Sequence, residues 1–269
     1  MLMPNNADTP LKSIANYQNF GLRENWIAVF LAEKEDFVKT TQLGGPMIDS
    51  ARLWFRQALL SMDNKKCIPA PLLKVAEKLG PDSSKLWDLI WIALTNNSPL
   101  IKWFVTTLLP NQTITPEEIK ALMGNIVSEG AKKGGLQALN NLFKSSPLGT
   151  GEQTIVQLQT KGAKILSLTR VRRVPEPLVI LYSLYLIAEK ADRETFTLSE
   201  MMNADFESSY ISPLVAFGMP VDELKAVCNG LAIRHPQFIH CKFTLGLDEI
   251  QLYPNNKNLE DVINLILEH

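Results

Sequence analysis

The chain has 269 residues, of which 46% are hydrophobic, so it can bury a substantial core as one large or two smaller domains. Its 27 lysines and arginines almost balance its 28 aspartates and glutamates, which excludes a global field that draws the protein to nucleic acid or to an anionic membrane. Any contact with DNA must therefore be local. The cysteines Cys67, Cys228 and Cys241 lie in dissimilar contexts, which argues against a disulfide framework and suits a reducing cytosol.

The first ten residues are polar and contain no basic region followed by an apolar one, so no secretory signal is expected. The most apolar region, residues 86–109, is interrupted by Asp88, by residues 96–99 and by Lys102. Neither half reaches the ~18 residues of a membrane span, and the region is predicted to form a buried helical hairpin. We expect a cytoplasmic protein without a membrane partner.

Residues 40–48 are typical of the glycine turn of a helix-turn-helix and the start of its second helix. Gly44 and Gly45 are expected to supply the positive φ that ends one element, and Pro46 fits the first turn of the next helix. Two helices joined in this way are the recurrent DNA-reading unit, and equally a common way to pack helices without DNA. The flanking apolar stripes comprise Trp26, Ile27, Phe30 and Leu31 before the turn, and Met47, Ala51, Trp54, Ala58 and Met62 after it.

The second of these helices carries the first candidate nucleic-acid contacts. Asp49, Arg52 and Arg56 are predicted to share the face opposite the apolar stripe. Arginine is well suited to guanine edges and phosphates, so Arg52 and Arg56 are candidate DNA contacts. The alternative is a surface pair between Asp49 and Arg52 beside a solvated Arg56.

Further helical segments predict a central helical bundle. Ser83 or Ser84 caps a helix over residues 85–95, and Thr115 with Pro116 begins another through residue 127. Residues 132–135 are predicted to be a linker before a short helix over residues 136–143. We expect a helical domain over residues 1–145 and a second domain over residues 146–269.

A change of hydrophobic period from 3.6 to 2 predicts a β-hairpin over residues 155–169, with a tight turn at Lys161 and Gly162. The densest basic cluster of the chain lies on this hairpin and on the loop after it. Such a cluster could follow a phosphate backbone, and a solvated loop is a comparable alternative. Its members are Lys161, Lys164, Arg170, Arg172 and Arg173.

The C-terminal part predicts a winged helix-like unit. Three helices precede two strands. The helices lie over residues 178–190, from a capping box at residues 197–200, and over residues 223–234, and the strands lie at 238–245 and 250–253. A turn is expected at residues 246–249, and a last helix at 259–267. Acidic residues oppose the basic ones in this unit, so protein docking is as open here as DNA binding. The basic side chains are Lys225, Arg234, His240 and Lys242.

Motifs that follow one another in order along almost the whole chain resemble a bacterial family known as the domain of unknown function numbered 4007. They are Phe20-Gly21-Leu22-Arg23-Glu24-Asn25-Trp26, Leu43-Gly44-Gly45-Pro46-Met47, Arg52-Leu53-Trp54-Phe55, Leu86-Trp87, Pro147-Leu148-Gly149, Glu176-Pro177-Leu178-Val179-Ile180-Leu181-Tyr182, Ser212-Pro213 and Phe217-Gly218-Met219.

This resemblance implies a mostly helical protein that is often encoded beside proteins similar to phosphoadenosine phosphosulfate reductases, in islands associated with DNA sulfur modification or phage defence. It implies no established activity. The family pattern has a lysine and an asparagine after the glycine turn, where this chain has Gly45 and Pro46. A phosphate contact made by those polar residues in relatives would be missing here.

No motif predicts catalysis. The histidines His235, His240 and His269 have no nucleophile elbow near them, and Gly149 and Gly151 are not followed by the Lys-Ser/Thr of a phosphate-binding loop. Cys228, His235, His240 and Cys241 resemble zinc ligands in type only, because neighbours such as His240 and Cys241 point to opposite faces of a strand. We expect no catalytic residue, no metal and no cofactor.

The sequence thus predicts a non-catalytic, DNA-associated accessory protein of a bacterial DNA sulfur-modification or phage-defence system. Its partners would be double-stranded DNA and a phosphoadenosine phosphosulfate reductase-like protein. The alternative is a docking scaffold for such a sulfur-transfer enzyme without direct DNA contact. An enzyme that uses unrecognised residues is a third, weaker hypothesis.

Overall fold

A computed structural model of the protein describes residues 11–63, 65–125, 127–151, 153–203, 208–244, 247–252 and 257–269. This part of the chain is mainly helical with two small three-stranded antiparallel sheets, which confirms the predicted mainly α class. The helices are α1 (Glu24–Glu33), α2 (Phe37–Thr40), α3 (Gly45–Gln57), α4 (Pro71–Leu79), α5 (Ser84–Asn97), α6 (Pro99–Thr107), α7 (Pro116–Leu122), α8 (Glu129–Lys144), α9 (Pro177–Ala191), α10 (Leu198–Met202), α11 (Pro213–Phe217), α12 (Val221–Arg234) and α13 (Leu259–Glu268). The strands are β1 (Thr113–Ile114), β2 (Val156–Lys161), β3 (Lys164–Arg170), β4 (Thr195–Thr197), β5 (Ile239–Thr244) and β6 (Leu247–Leu252).

The segment before α3 differs from the predicted glycine turn. Gly44 is the N-cap of α3 with φ −68°, and Gly45 is its first helical residue, so neither glycine supplies a positive φ. Pro46 lies in the first helical turn as predicted, because it needs no N–H bond there. The helix ends at Gln57, and Met62 at the end of the predicted stripe is 65% exposed. Whether this region forms a DNA-reading helix-turn-helix stays a prediction.

The centre of the molecule is formed by α5 and α9, which contact each other. Every residue from Leu86 to Asn96 in α5 is buried, and so is every residue from Leu178 to Ala188 in α9. Ser98 ends α5 and caps α6, so the predicted buried helical hairpin is confirmed. No helix in the described ranges is both long and apolar enough to cross a membrane.

The predicted linker at residues 132–135 is wrong, because these residues lie inside α8. Gly134 and Gly135 are buried, and their helix contacts the 3-10 segment Leu11–Tyr17. A Cβ atom at Gly135 would overlap Ile14 Cγ2, so the glycine allows close helix packing and does not mark a break.

The first sheet has the order β1-β3-β2. It contains the predicted hairpin, with Gly162 at φ +59° in the turn and a register shift between Gln159 and Thr160. The short strand β1 was not predicted, and it pairs Thr113 with Thr169 across the expected boundary between residues 145 and 146. That domain boundary stays a prediction, and the buried core continues across it.

The second sheet has the order β4-β6-β5, and its hairpin is the predicted β5–β6 pair. Because β6 begins at Leu247, most of the expected turn at residues 246–249 is strand. Residues 245, 246 and 253 of the predicted strands and turn lie outside the described residues. The capping box of α10 is confirmed by the reciprocal hydrogen bonds of Thr197 and Glu200, whereas β4 and α11 were not predicted.

Candidate nucleic-acid interface

Two of the predicted phosphate contacts lie at the tip of the β2–β3 hairpin. Lys161 is the last residue of β2 and Lys164 the first of β3, and the two are direct cross-strand partners. The left-handed Gly162 allows the tight turn between them. Both side chains are exposed, so both ammonium groups point into solvent from one end of the sheet.

A third lysine lies beside this tip and was missed by the sequence analysis. Lys144, in the last turn of α8, donates a hydrogen bond from Nζ to the backbone oxygen of Ala163 in the hairpin turn. The helix dipole favours a cation at the C-terminal end of a helix. The position of Lys144 at the end of a predicted helix was therefore the sequence signal for this residue. We call Lys144, Lys161 and Lys164 the lysine tip.

The lysine tip is a local concentration of uncompensated positive charge. Within the described ranges, none of its three ammonium groups has a carboxylate at ion-pairing distance. Like charges directly opposite on an antiparallel pair destabilise the pair. The lysine tip is therefore a small positive surface on a chain whose overall charge is balanced.

An uncharged polar surface continues from the lysine tip along one face of the first sheet. Thr113 and Thr169 share a hydrogen bond between their Oγ1 atoms (2.7 Å), and Ser167 Oγ donates to Gln159 Oε1 (3.0 Å). Gln157 lies opposite Thr169 on the same face and is exposed. Hydroxyl and amide groups of this kind donate to phosphate and sugar oxygens in protein–DNA complexes.

Arg170 does not belong to this surface, because its side chain, which was predicted to contact phosphate, is buried in the core. Only 2% of the residue is exposed. Nη1 donates to the backbone oxygens of Val105 (2.8 Å) and Leu108 (2.5 Å), and Nη2 to those of Val215 and Ala216. These carbonyls lie at the C-terminal ends of α6 and α11, where the helix dipoles favour a cation. Burial lowers the pKa of Arg170 to about 10, so the side chain stays charged at neutral pH.

The side chain of Arg173, another predicted phosphate contact, is also engaged inside the protein. Nη1 and Nη2 each donate to one carboxylate oxygen of Asp88 at 2.5 Å, and the Asp88 side chain is only 1% exposed. The same two nitrogens also bind the backbone oxygen and Oε1 of Gln153, both at 2.7 Å. Burial raises the pKa of Asp88 to about 7, while the guanidinium acts in the opposite direction. Arg173 thus neutralises a buried carboxylate.

Arg172 is exposed, but it lies at the opposite end of β3 from the lysine tip. Lys164 and Arg170 mark the two ends of this strand, roughly 20 Å apart at ~3.3 Å per residue. Arg172 lines a shallow depression of about 410 Å³ together with Gln153 and Glu176. The five basic residues that are close in sequence therefore form two separate groups in space.

The candidates on α3 form a third location. Arg52 Nη1 lies 3.5 Å from Asp49 Oδ1, and its side chain is 20% exposed, which matches the surface-pair alternative. Arg56 is exposed and lines a cleft between α3, α4, α9 and α13. These arginines are therefore not part of the lysine tip.

The residues considered for metal binding do not come together as a ligand set. Cys228 and Cys241 are hydrogen-bond partners, which raises the pKa of Cys228 and lowers that of Cys241. His235 stacks edge-on against His269, with ring centroids 6.1 Å apart. Among the residues that the structure describes, no group of three or more His, Cys, Asp or Glu side chains is placed to hold a metal ion.

In its described part the protein is thus mainly helical with two small sheets, and one of these sheets ends in a basic hairpin. No family model and no curated protein matches the chain. Two solved structures have a similar fold. A crystal structure of SspB superimposes with a TM-score of 0.67 at 14% identity, and a magnesium ion-bound crystal structure of SspB with a TM-score of 0.65 at 13% identity. Each comparison covers 94% of this chain and 86% of the other, and at this identity it shows a common fold alone.

Proposed function

We propose that the protein is a non-catalytic, DNA-associated accessory component of a bacterial DNA sulfur-modification or phage-defence system. The observation that carries this proposal is the lysine tip, whose ammonium groups have no carboxylate at ion-pairing distance among the described residues. The biological setting rests on the resemblance to the family numbered 4007 described above.

The geometry of the hairpin suits a phosphate backbone. Cβ atoms of direct cross-strand partners are about 5 Å apart, so Lys161 and Lys164 present two flexible cations that can reach neighbouring phosphates of one strand. Gln157, Thr113 and Thr169 on the adjoining sheet face supply uncharged donors for further phosphate and sugar contacts. Such contacts position a protein on DNA without reading its sequence, so we expect weak, sequence-independent and salt-sensitive binding.

The C-terminal unit supports this proposal less directly. Its order of helices, β4 and the β5–β6 hairpin is compatible with a winged helix-like unit. The basic side chains of α12 form no cluster of unpaired cations, however, because Lys225 is ion-paired and Arg234 lies at the other end of the helix. Lys225 Nζ lies 3.4 Å from Asp248 Oδ1, and Arg234 Nε donates to the backbone oxygen of Gly230. We therefore assign the principal DNA contact to the lysine tip and not to α12.

Fluorescence anisotropy of a short labelled DNA duplex tests this assignment. Binding is expected to weaken between about 50 and 200 mM salt, because neutralised phosphates release counterions. The double variant Lys161→Ala/Lys164→Ala should bind at least about tenfold more weakly, and its slope of log K against log salt should fall by about 2, one for each lost contact. Lys242→Ala, which removes an exposed lysine from the other hairpin, is the matched control and should bind like the native chain.

The alternative function, a docking scaffold for a phosphoadenosine phosphosulfate reductase-like enzyme, is favoured by one specific observation. Ile233 on α12 is 82% exposed, and exposed Asp222 and Glu223 begin the same helix. A partner that covers Ile233 would remove its apolar surface from water, which favours docking. No DNA binding near physiological salt, together with capture of the enzyme by the native chain but not by Ile233→Asp, would replace the DNA proposal with this one.

A further inference from the structure

A large cleft lies on α9, away from the lysine tip. It has a volume of about 950 Å³ and is bordered by the end of α3, the start of α4, one face of α9 and the start of α13. This volume is within the range of small-molecule sites. Its apolar walls are formed by Leu53, Leu59, Met62, Leu72, Leu186 and Ile263.

One buried polar group in this cleft has no partner within the described ranges. Tyr182 lines the cleft, is 0% exposed, and its hydroxyl oxygen makes no hydrogen bond to any described residue. One turn further along α9, Tyr185 instead donates from its hydroxyl to the backbone oxygen of Phe238 at 2.8 Å. A buried hydroxyl without an acceptor is unfavourable, and a bound molecule with an acceptor atom would satisfy it.

The charged groups that line the cleft include two cations, and one carboxylate, Glu189, without an ion-pair partner among the residues described. Arg56 and Lys190 both line it, and neither has an ion-pair partner among the residues described. Of the two acids in the lining, Glu260 pairs with Lys74 at 3.4 Å, and Glu189 accepts a hydrogen bond from the backbone of residue 259. Partial burial lowers the pKa of Lys190 and raises that of Glu189, as expected for groups in contact with an apolar cleft.

We propose that this cleft binds a small amphipathic anion, with an apolar body against the leucine walls and one carboxylate group facing Lys190 and Arg56. A carboxylate oxygen accepts the hydrogen bond that the Tyr182 hydroxyl otherwise lacks. The site combines what small-molecule pockets typically have, apolar walls with a few convergent polar groups. It is independent of the proposed DNA contact, because no residue of the lysine tip lines it.

Isothermal titration calorimetry with decanoate, compared with decan-1-ol, tests the proposal on the full chain. Decanoate is expected to bind saturably and to raise the melting temperature, and decan-1-ol to bind clearly more weakly because it carries no charge. Tyr182→Phe should weaken decanoate binding about tenfold, the effect of one hydrogen bond to a charged group. Lys190→Met should weaken it up to about fivefold.

Tyr185→Phe is the matched control, because it removes a satisfied hydroxyl from the same helix outside the cleft. This variant should lose stability and bind decanoate like the native chain, whereas Tyr182→Phe should be at least as stable as the native chain without ligand. DNA binding should be the same in both variants, so failure here is distinct from failure of the proposed function. No saturable binding of decanoate, equal binding of decan-1-ol, or full binding by Tyr182→Phe would each overturn the proposal.

Discussion

The two β-hairpins in the described part of the molecule share a plan and differ in the charge that lies across from a basic residue. In each sheet the second strand of the hairpin is the central strand, with a short strand from earlier in the chain on its other side. In the β2–β3 hairpin, Lys161 lies directly across from Lys164. In the β5–β6 hairpin, Lys242 lies directly across from Glu249. One hairpin therefore ends in repelling charges, and the other carries an attracting pair.

This difference shows that a count of basic residues along a segment says little about its surface charge. The second hairpin also neutralises Lys225 of α12 through Asp248, so it adds stability and little positive potential. The first hairpin has no such compensation in the described part of the chain. A single acidic residue in place of Lys161 or Lys164 would relieve this cross-strand repulsion. That the repulsion is present is consistent with a role of these lysines in binding an external anion.

The largest expected effect is on the free energy of unfolding. It tests whether Arg173, which follows the first hairpin, contributes to folding. Arg173→Met leaves Asp88 buried without its partner and should lower the free energy of unfolding by about 3–5 kcal/mol. Arg172→Met, at the neighbouring exposed position, should change it by less than about 0.5 kcal/mol. Urea denaturation measures both variants. Equal stability of the two would contradict the assignment of Arg173 to the core.

A charge reversal at the tip should separate binding from stability. In Lys161→Glu the new carboxylate lies across from Lys164, so the repulsion becomes an attraction and the variant should be more stable by about 0.2–1 kcal/mol. DNA binding should fall at least as far as in the double alanine variant, because the reversal adds repulsion from phosphate. Thermal unfolding and anisotropy on the same preparation provide the two readouts. A variant that loses both stability and binding would point to simple disruption of the hairpin.

The smallest effect is expected in the second hairpin. Glu249→Gln removes the charge across from Lys242 and should cost about 0.2–0.5 kcal/mol of unfolding free energy. Because one free lysine is not a cluster, DNA affinity should stay within about twofold of the native value. A large gain of DNA affinity in Glu249→Gln would show that this hairpin also contacts DNA and that the carboxylate of Glu249 weakens this contact.

Much of the fold was predictable because long elements have a strong period. The buried helices α5 and α9 follow from continuous apolar runs, and the β2–β3 hairpin from alternation around Lys161 and Gly162. The two residues of β1 and the five of α11 are too short to show a period. The buried glycines of α8 were interpreted as a linker, since their close packing against another segment is not a local property.

The candidate site was predictable only in part, because burial depends on partners far away in sequence. Arg170 and Arg172 are the same residue type two positions apart, yet one is buried and the other exposed. The alternation of β3 places Arg170 on the face of Leu168, which was a usable signal. Asp88 within an apolar helix required a cationic partner, but nothing local indicated that it would be Arg173, 85 residues later.

The guanidinium of Arg170 also bears on how the protein is made. It binds carbonyls 65 and 62 residues before it and others 45 and 46 residues after it. A nascent chain released from the ribosome only as far as α9 already contains the end of α6 and Arg170, but it lacks the helix end that occupies the other half of the guanidinium. Contacts of such long sequence separation form late and slow folding. Synthesis must pass residue 216 before this part of the core can close, and products that stop earlier should be recognised by proteases as unfinished.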